Sequence, residues 1–223
     1  DESFQFLSCD PMVARIPEWS PYTYCFSNPI SFIDLSGATP GDPMAGYYAA
    51  SVNSRMAAFT TRHPIASASI GLPTSGSTNI STNSVRFSTR IGLSENARHE
   101  GSQVNAFRHA LWQAEITQSF GISIAKQVGN LHEENAFAIM GENLRTNFTT
   151  LASADQTVDL LNNQIGRKIG SENPNASMKN LALLTLEYYK TKGLWTVNPV
   201  TNSKGEVTGY TISQVKLTDK EYK

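Results

Sequence analysis

Asn105-Ala106-Phe107-Arg108-His109-Ala110-Leu111-Trp112 lies inside a longer stretch, Ser102 to about Phe120, whose apolar residues recur at helical spacing. At about 100° per residue, Val104, Phe107, Leu111 and Ala114 form one stripe, which predicts a core face. Asn105, Arg108, His109 and Trp112 fall at i, i+3, i+4 and i+7 on a second face. A solvated face has no use for Trp112 or the nearby Ile116, so this stripe predicts a cleft wall or a buried polar network. The back of the helix carries Ala106, Ala110, Gln113 and Thr117, and Gly121 is expected to end it.

The pattern continues on both sides. A second helix is predicted from Ile122 to Phe137, where His132 follows the apolar positions Ala125, Val128 and Leu131 and can point inward, while Glu133 is turned away from them. A third, from Asp155 to Ile169 with Gly170 as its stop, carries Val158, Ile165 and Ile169 as a core stripe and Asp159, Asn162, Asn163 and Gly166 as a polar one. A glycine inside a helix costs about 1 kcal/mol relative to alanine, so Gly166 implies the close approach of a backbone or a ligand. A fourth helix, Ser177 to Lys192, ends at Gly193 and shows Met178, Leu181, Leu184 and Tyr188 on one face. From Leu194 to Ser213 the residues alternate around Lys204-Gly205, which predicts a hairpin. Upstream, Asp42-Pro43, within the Pro/Gly-rich residues 38–45, is a good helix start, and that helix should run to Thr61, stopped by His63-Pro64. Residues 71–79 read as an exposed loop, and residues 1–37, rich in Pro and aromatics, as short strands and turns.

The expected fold is therefore a mainly α-helical domain with a small C-terminal β-hairpin, preceded by a short β/turn-rich segment. The expected divisions are 1–37; 38–94 as linker, helix and polar loop; and 95–223 as the helical domain with its hairpin.

Three helices could thus bring Arg108, His109, His132, Asp159 and Asn163 together as catalytic groups. An arginine suits an anionic oxygen, two imidazoles can pass a proton or hold a metal, and a carboxylate can orient an imidazole. Asn163 could donate to an oxyanion or place a water. If a divalent metal takes part, its ligands would be His109, His132 and Asp159. The spacing is no known metal signature, since H-E-x-x-H and C-x-x-C are both missing, and structural roles in salt bridges and interhelical hydrogen bonds remain open for the same residues. There is no G-x-S-x-G elbow, and the two cysteines, Cys9 and Cys25, lie in the N-terminal segment without the paired spacing of a zinc site.

Charge narrows the substrate. The 223 residues hold 18 Lys+Arg and 19 Asp+Glu, and five of those acids but only Arg15 among the bases fall in residues 1–35. The remaining 17 basic and 14 acidic side chains leave about +3, too little for a sequence-independent grip on a long phosphate backbone. No run approaches the roughly 18 apolar residues that span a bilayer, and Asp1-Glu2-Ser3 does not read as a signal peptide.

Two resemblances add to this reading. Ile16-Pro17-Glu18-Trp19-Ser20-Pro21-Tyr22-Thr23-Tyr24 followed by Cys25-Phe26-Ser27-Asn28-Pro29-Ile30-Ser31-Phe32-Ile33-Asp34-Leu35-Ser36-Gly37 resembles the end of the RHS/YD-repeat-associated core. That resemblance implies a polymorphic toxin: a cocoon of β-repeats, then a variable cargo from about residue 38. Such relatives commonly read Asp-Pro-x-Gly where this chain has Asp34-Leu35-Ser36-Gly37, which counts against self-cleavage. The blocks N-x-x-R-H-A-x-W at 105–112, H-E at 132–133 and D-x-x-N-N-x-x-G-R at 159–167 resemble a bacterial domain of mostly unassigned activity found at the C-termini of secreted and RHS-type proteins.

Together these lead to the expectation of a secreted effector domain, delivered into a target cell in interbacterial competition. It would be a hydrolase acting on a phosphate-containing substrate such as a phospholipid, a lipid-linked precursor or nucleic acid. Asn105, Trp112, Asn162 and Arg167 would contact the substrate. The toxin resemblance implies a cognate immunity protein as partner, together with the RHS cocoon and the secretion machinery of the parent chain. The competing expectations are a non-enzymatic toxin that acts on membranes or binds a target, and a structural cap on the cocoon.

Overall fold

The computed structural model describes residues 54–93, 99–131 and 144–217. The RHS-like segment, both cysteines, the residues 38–45, the C-terminal part of the predicted second helix, His132 and Glu133 lie outside the described residues. The chain divides into two compact units, Asp1–Leu72 and Pro73–Lys223. Within the first, α1 (Ser54–Arg62) and α2 (Pro64–Ile70) meet at His63, where Pro64 occupies the first helical position. His63-Pro64 thus stops one helix, as expected, but also starts another, because a missing N–H costs nothing in a first turn.

The second unit contains α3 (Ile80–Ser88), α4 (Gln103–Leu131), β1 (Asn147–Phe148), α5 (Leu151–Glu172), α6 (Met178–Thr191), β2 (Leu194–Thr201) and β3 (Val207–Val215). It is mainly helical with a small sheet, in line with the expected class. Helix starts follow local capping chemistry: Asn79, Thr150 and Ser177 each accept a backbone N–H of the first turn of α3, α5 and α6. Gly121, at φ 84 and ψ 161, interrupts α4 where the sequence predicts a stop, and the helix resumes beyond it to Leu131.

Strands β2 and β3 pair antiparallel from Leu194↔Val215 to Thr201↔Val207, which is the predicted hairpin. A third strand was not foreseen: β1 pairs antiparallel with β3, giving the order β1-β3-β2. Two residues are too short to show an alternating pattern, and only the tertiary context makes them a strand.

Helices α4 and α5 run parallel, side by side. Their polar contacts keep one constant offset of 54 residues: Gly101 with Asp155, Asn105 with Asp159, His109 with Asn163, and Gln113 with Arg167. Successive rungs are one helical turn apart. Close approach is possible because Gly166 and Gly170 of α5 sit against the carbonyl groups of Ala110 and Ala114 of α4; a Cβ at either glycine would overlap those oxygens. The sequence expectation of a close approach at Gly166 is met by a neighbouring backbone. Gly170, expected to end the helix, continues it to Glu172 for the same reason: it is the second small residue of the crossing.

This contact also corrects the reading of the back of α4. Ala106, Ala110, Gln113 and Thr117 are buried, and Ala110 and Gln113 contact α5, so α4 has an apolar face and a polar face but no solvated one along Val104–Leu111 apart from Arg108. Val104, Phe107, Leu111 and Ala114 form the expected core stripe, joined by Ile165, Ile169, Leu181, Tyr189 and Leu194. On α6 the expected Met178, Leu181 and Tyr188 pack on the core, Leu181 fully and the other two in part, while Leu184 is exposed and Ala182, Thr185 and Tyr189 are buried. The buried face extends to Tyr189, whose hydroxyl is hydrogen-bonded to Gln103.

Candidate functional site: a polar seam between two parallel helices

Asn105, His109 and Gln113 lie one turn apart on α4 and face Asp159, Asn163 and Arg167, one turn apart on α5; all six are buried. Arg108, half-buried at the edge, links this seam to solvent. Helical periodicity alone puts each trio in line, and the Gly166–Ala110 crossing brings the two lines together.

At the centre, His109 Nε2 is 3.1 Å from Asp159 Oδ2 and 2.7 Å from Arg108 Nη2. Its Nδ1 is 3.2 Å from Asn163 Oδ1. Asn105 organises the charged groups: its Oδ1 accepts from Arg108 Nε at 3.0 Å and Nη2 at 2.6 Å, and its Nδ2 donates to Asp159 Oδ1 at 3.2 Å.

This arrangement offers partners to either tautomer of one ring. With the proton on Nδ1, donated to Asn163, the Nε2 lone pair accepts from Arg108. With the proton on Nε2, the ring donates to Asp159 Oδ2 and the Arg108 Nη2 donor has to turn aside. A ring nitrogen with a donor and an acceptor both within reach is what general acid–base chemistry draws on.

Trp112 stands at the rim as a wall. Its indole N–H donates to Ser81 Oγ of α3 at 3.0 Å, and its ring meets His109 edge-on with centroids 6.3 Å apart. Asn162 serves the scaffold: its side chain accepts from the Trp195 backbone N–H at 3.0 Å and donates to the Trp195 carbonyl at 2.9 Å, bolting α5 to the start of β2. Both its hydrogen-bonding groups are used there, away from the Arg108–His109–Asp159 cluster. Arg167 lies one turn beyond Asn163, where its Nη1 donates to Gln113 Oε1 at 3.0 Å, and burial pulls its guanidinium below the ordinary arginine range. Of the predicted catalytic residues, Arg108, His109, Asp159 and Asn163 come together; of the substrate-contacting ones, Asn105 joins them. Among the described residues no three His, Cys, Asp or Glu side chains gather as a metal site, and Arg108 occupies one side of His109 Nε2.

Asp155 belongs to the site although the sequence reading treats it only as a helix start. Its Oδ1 accepts the Gly101 N–H at 2.5 Å, while Gly101 in turn gives its carbonyl to Val197 N at 3.0 Å. Desolvation first, then the charge of Asp159 one turn away and that of Glu100, outweigh the Gly101 hydrogen bond and Arg108 and push the Asp155 carboxyl up to about 7. The i, i+4 spacing of two acids on a polar helix face was the signal available in the sequence.

A carboxyl whose folded pKa is raised binds its proton more tightly folded than unfolded. Its stabilising contribution is complete below about pH 4 and is lost as the pH rises through about 7. Between pH 5 and pH 8 the wild type should therefore lose roughly 3 kcal/mol that Asp155→Asn does not lose, at about 1.4 kcal/mol per pH unit up to about pH 7. Urea unfolding of both proteins at the two pH values checks this; equal losses contradict it.

The fold and site define a mainly helical domain built on a parallel helix pair with an Arg–His–Asp–Asn seam. The chain matches, over residues 61–192, the family described as a domain of unknown function (DUF6973), and it belongs to that family. The match spans α2 to α6 and ends before the hairpin. No curated protein and no solved structure matches the chain.

Proposed function

We propose that the chain is a secreted effector domain of the polymorphic-toxin kind, acting as a hydrolase on a phosphate-containing substrate. The observation that carries the hydrolase reading is the placement of His109 Nε2 between Arg108 and Asp159. His109 acts as the acid/base, Asp159 accepts a hydrogen bond from the protonated ring and leaves the proton on it, and Asn163 holds the tautomer. Arg108, the member that reaches solvent, meets the anionic oxygen of the substrate. The charge balance of −1 favours a small or amphiphilic phosphoester, such as a phospholipid or a lipid-linked precursor, over long nucleic acid. The toxin setting, the RHS cocoon as carrier and a cognate immunity protein rest on the sequence resemblance of residues 16–37 and of the three motif blocks.

Expression of the chain in the bacterial cytoplasm and, separately, exported to the periplasm tests the proposal. Growth arrest in one compartment, with cleaved phosphoesters in lipid or nucleic-acid extracts of those cells, is the expected result. Folded protein accumulating in both compartments without arrest would overturn it.

One observation favours a target-binding toxin instead. Leu183 and Leu184 are exposed on α6 and line an open groove with Leu186 and Lys190. Among the described residues no helix is long and apolar enough to cross a membrane.

A further inference from the structure

The buried side chains of the seam form a chain of hydrogen bonds with a direction. Gln113 and Asn163 are both 0% exposed, and with Asn163 Oδ1 turned to His109 Nδ1 neither Gln113 Nε2 nor Asn163 Nδ2 has a hydrogen-bond partner. Buried donors left without acceptors are rare in folded proteins. No ligand can supply the acceptor, because a Cβ on Gly129 of α4 would already lie 3.0 Å from Gln113 Nε2 and 3.3 Å from Asn163 Nδ2. It has to come from the protein itself.

Chemistry fixes one of the two amides and leaves the other to follow. Arg167 can only donate, so Gln113 Oε1, 3.0 Å from Arg167 Nη1, faces it and Gln113 Nε2 faces away. Asn163 is under no such constraint, because His109 Nδ1 donates or accepts according to its tautomer. The two ends of an amide are alike in size, and their partners decide which end points where. A half-turn of the Asn163 amide puts its oxygen on the side that Gln113 Nε2 faces and its N–H on His109 Nδ1. Nδ1 then carries the lone pair, and Nε2 carries the hydrogen, 3.1 Å from Asp159 Oδ2. The chain now runs from Arg167 through Gln113, Asn163 and His109 to Asp159, each member donating to the next. It begins on a group that only donates and ends on a carboxylate that only accepts, which fixes the direction of every bond between them.

We propose that Gln113, held by Arg167, is a positioning residue for His109: through Asn163 it keeps the ring hydrogen on Nε2, against Asp159, and turns the Arg108 Nη2 donor away from the ring. Arg108 Nη2 is 2.7 Å from Nε2, and two N–H groups cannot share that place, so the guanidinium turns outward while its Nε keeps the bond of 3.0 Å to Asn105 Oδ1. The inference rests on the hydrolase reading only for the anionic oxygen that Arg108 then meets and for the use of Nε2 as a base. Nε2 can take up a proton only after the ring hydrogen has moved to Nδ1 and Asn163 has turned its oxygen back to it. The Asn163 amide thus gates the acid/base step.

The ring nitrogens of His109 report the tautomer directly. Long-range proton–nitrogen correlation spectra of the isotopically labelled full chain are recorded where the ring is neutral, with the His109 signals assigned by their loss in His109→Gln. Nε2 should resonate as an N–H nitrogen and Nδ1 as a bare one. Gln113→Glu is the discriminating variant. Its carboxylate pairs with Arg167 and also accepts from Asn163 Nδ2, so Asn163 turns its oxygen to His109 and the two nitrogen signals should exchange places. Loosened packing alone would not reverse a tautomer. A wild type with its hydrogen on Nδ1 overturns the proposal, and so does a folded Gln113→Glu that keeps the wild-type pattern; if that variant does not fold, the wild-type spectrum decides by itself. The readout needs no substrate, so a hydrogen on Nε2 in a protein that cleaves no phosphoester would overturn the hydrolase reading alone. A hydrogen on Nδ1 in an active enzyme would overturn the positioning role alone.

Discussion

Under the proposed hydrolase reading, His109→Gln is expected to lower phosphoester hydrolysis, and with it toxicity, by about 10²–10⁴-fold, the usual contribution of a general acid–base group. The substituted amide still offers a donor to Asp159 and an acceptor to Arg108, so the buried carboxylate keeps a partner and the protein keeps its fold. What is lost is a group that binds and releases a proton between those two neighbours. Growth assays, substrate turnover and urea unfolding on the same preparations decide the matter. A variant as toxic and as active as its parent, with the same unfolding midpoint, removes His109 from the chemistry. Asp159→Asn should follow the same pattern, since the protonated ring then faces a neutral amide.

Gly166→Ala is expected to destabilise the protein by about 1–3 kcal/mol, against a helix preference that favours alanine by about 1 kcal/mol. The reason is the Ala110 carbonyl, which occupies the position the new methyl group requires, with Gln113 Cβ only 2.8 Å away. Backbone cannot turn aside as a side chain can, so α5 must move off α4. Melting temperature should fall by roughly 3–10 °C. Activity should fall too, because His109 and Asn163 are held 3.2 Å apart by that same crossing. A melting temperature equal to or above that of the wild type would show that the two helices do not depend on this contact.

Most of the helical plan was legible in the sequence because it rests on local signals. Val104, Phe107, Leu111 and Ala114 recur at helical spacing and are all buried, and Ser177 and Gly193 bracket α6. The N-x-x-R-H and D-x-x-N-N blocks put Asn105, Arg108, His109, Asp159 and Asn163 on polar faces, and these five do meet. Three things were not legible. Helix α3 is short and rich in serine, threonine and asparagine, so no apolar period announces it; its polar residues turn inward because Ser81 receives the Trp112 N–H. The role of Asn162 depends on the backbone of Trp195, 33 residues further on, and no spacing rule connects the two. Gln113 looked like the back of a helix because a single helix does not show where its neighbour will lie.

The parallel course of α4 and α5 has an electrostatic consequence. In an antiparallel pair the two backbone dipoles oppose one another, but here both amino-terminal ends lie on the same side, so their partial positive charges add. Arg108 reaches solvent at that side, and Asp155 and Asp159 lie in the opening turns of α5 there. These carboxylates, with Glu100 beside them, face the added positive ends of the two helices, which offsets part of the repulsion between acidic groups held close together in a desolvated seam.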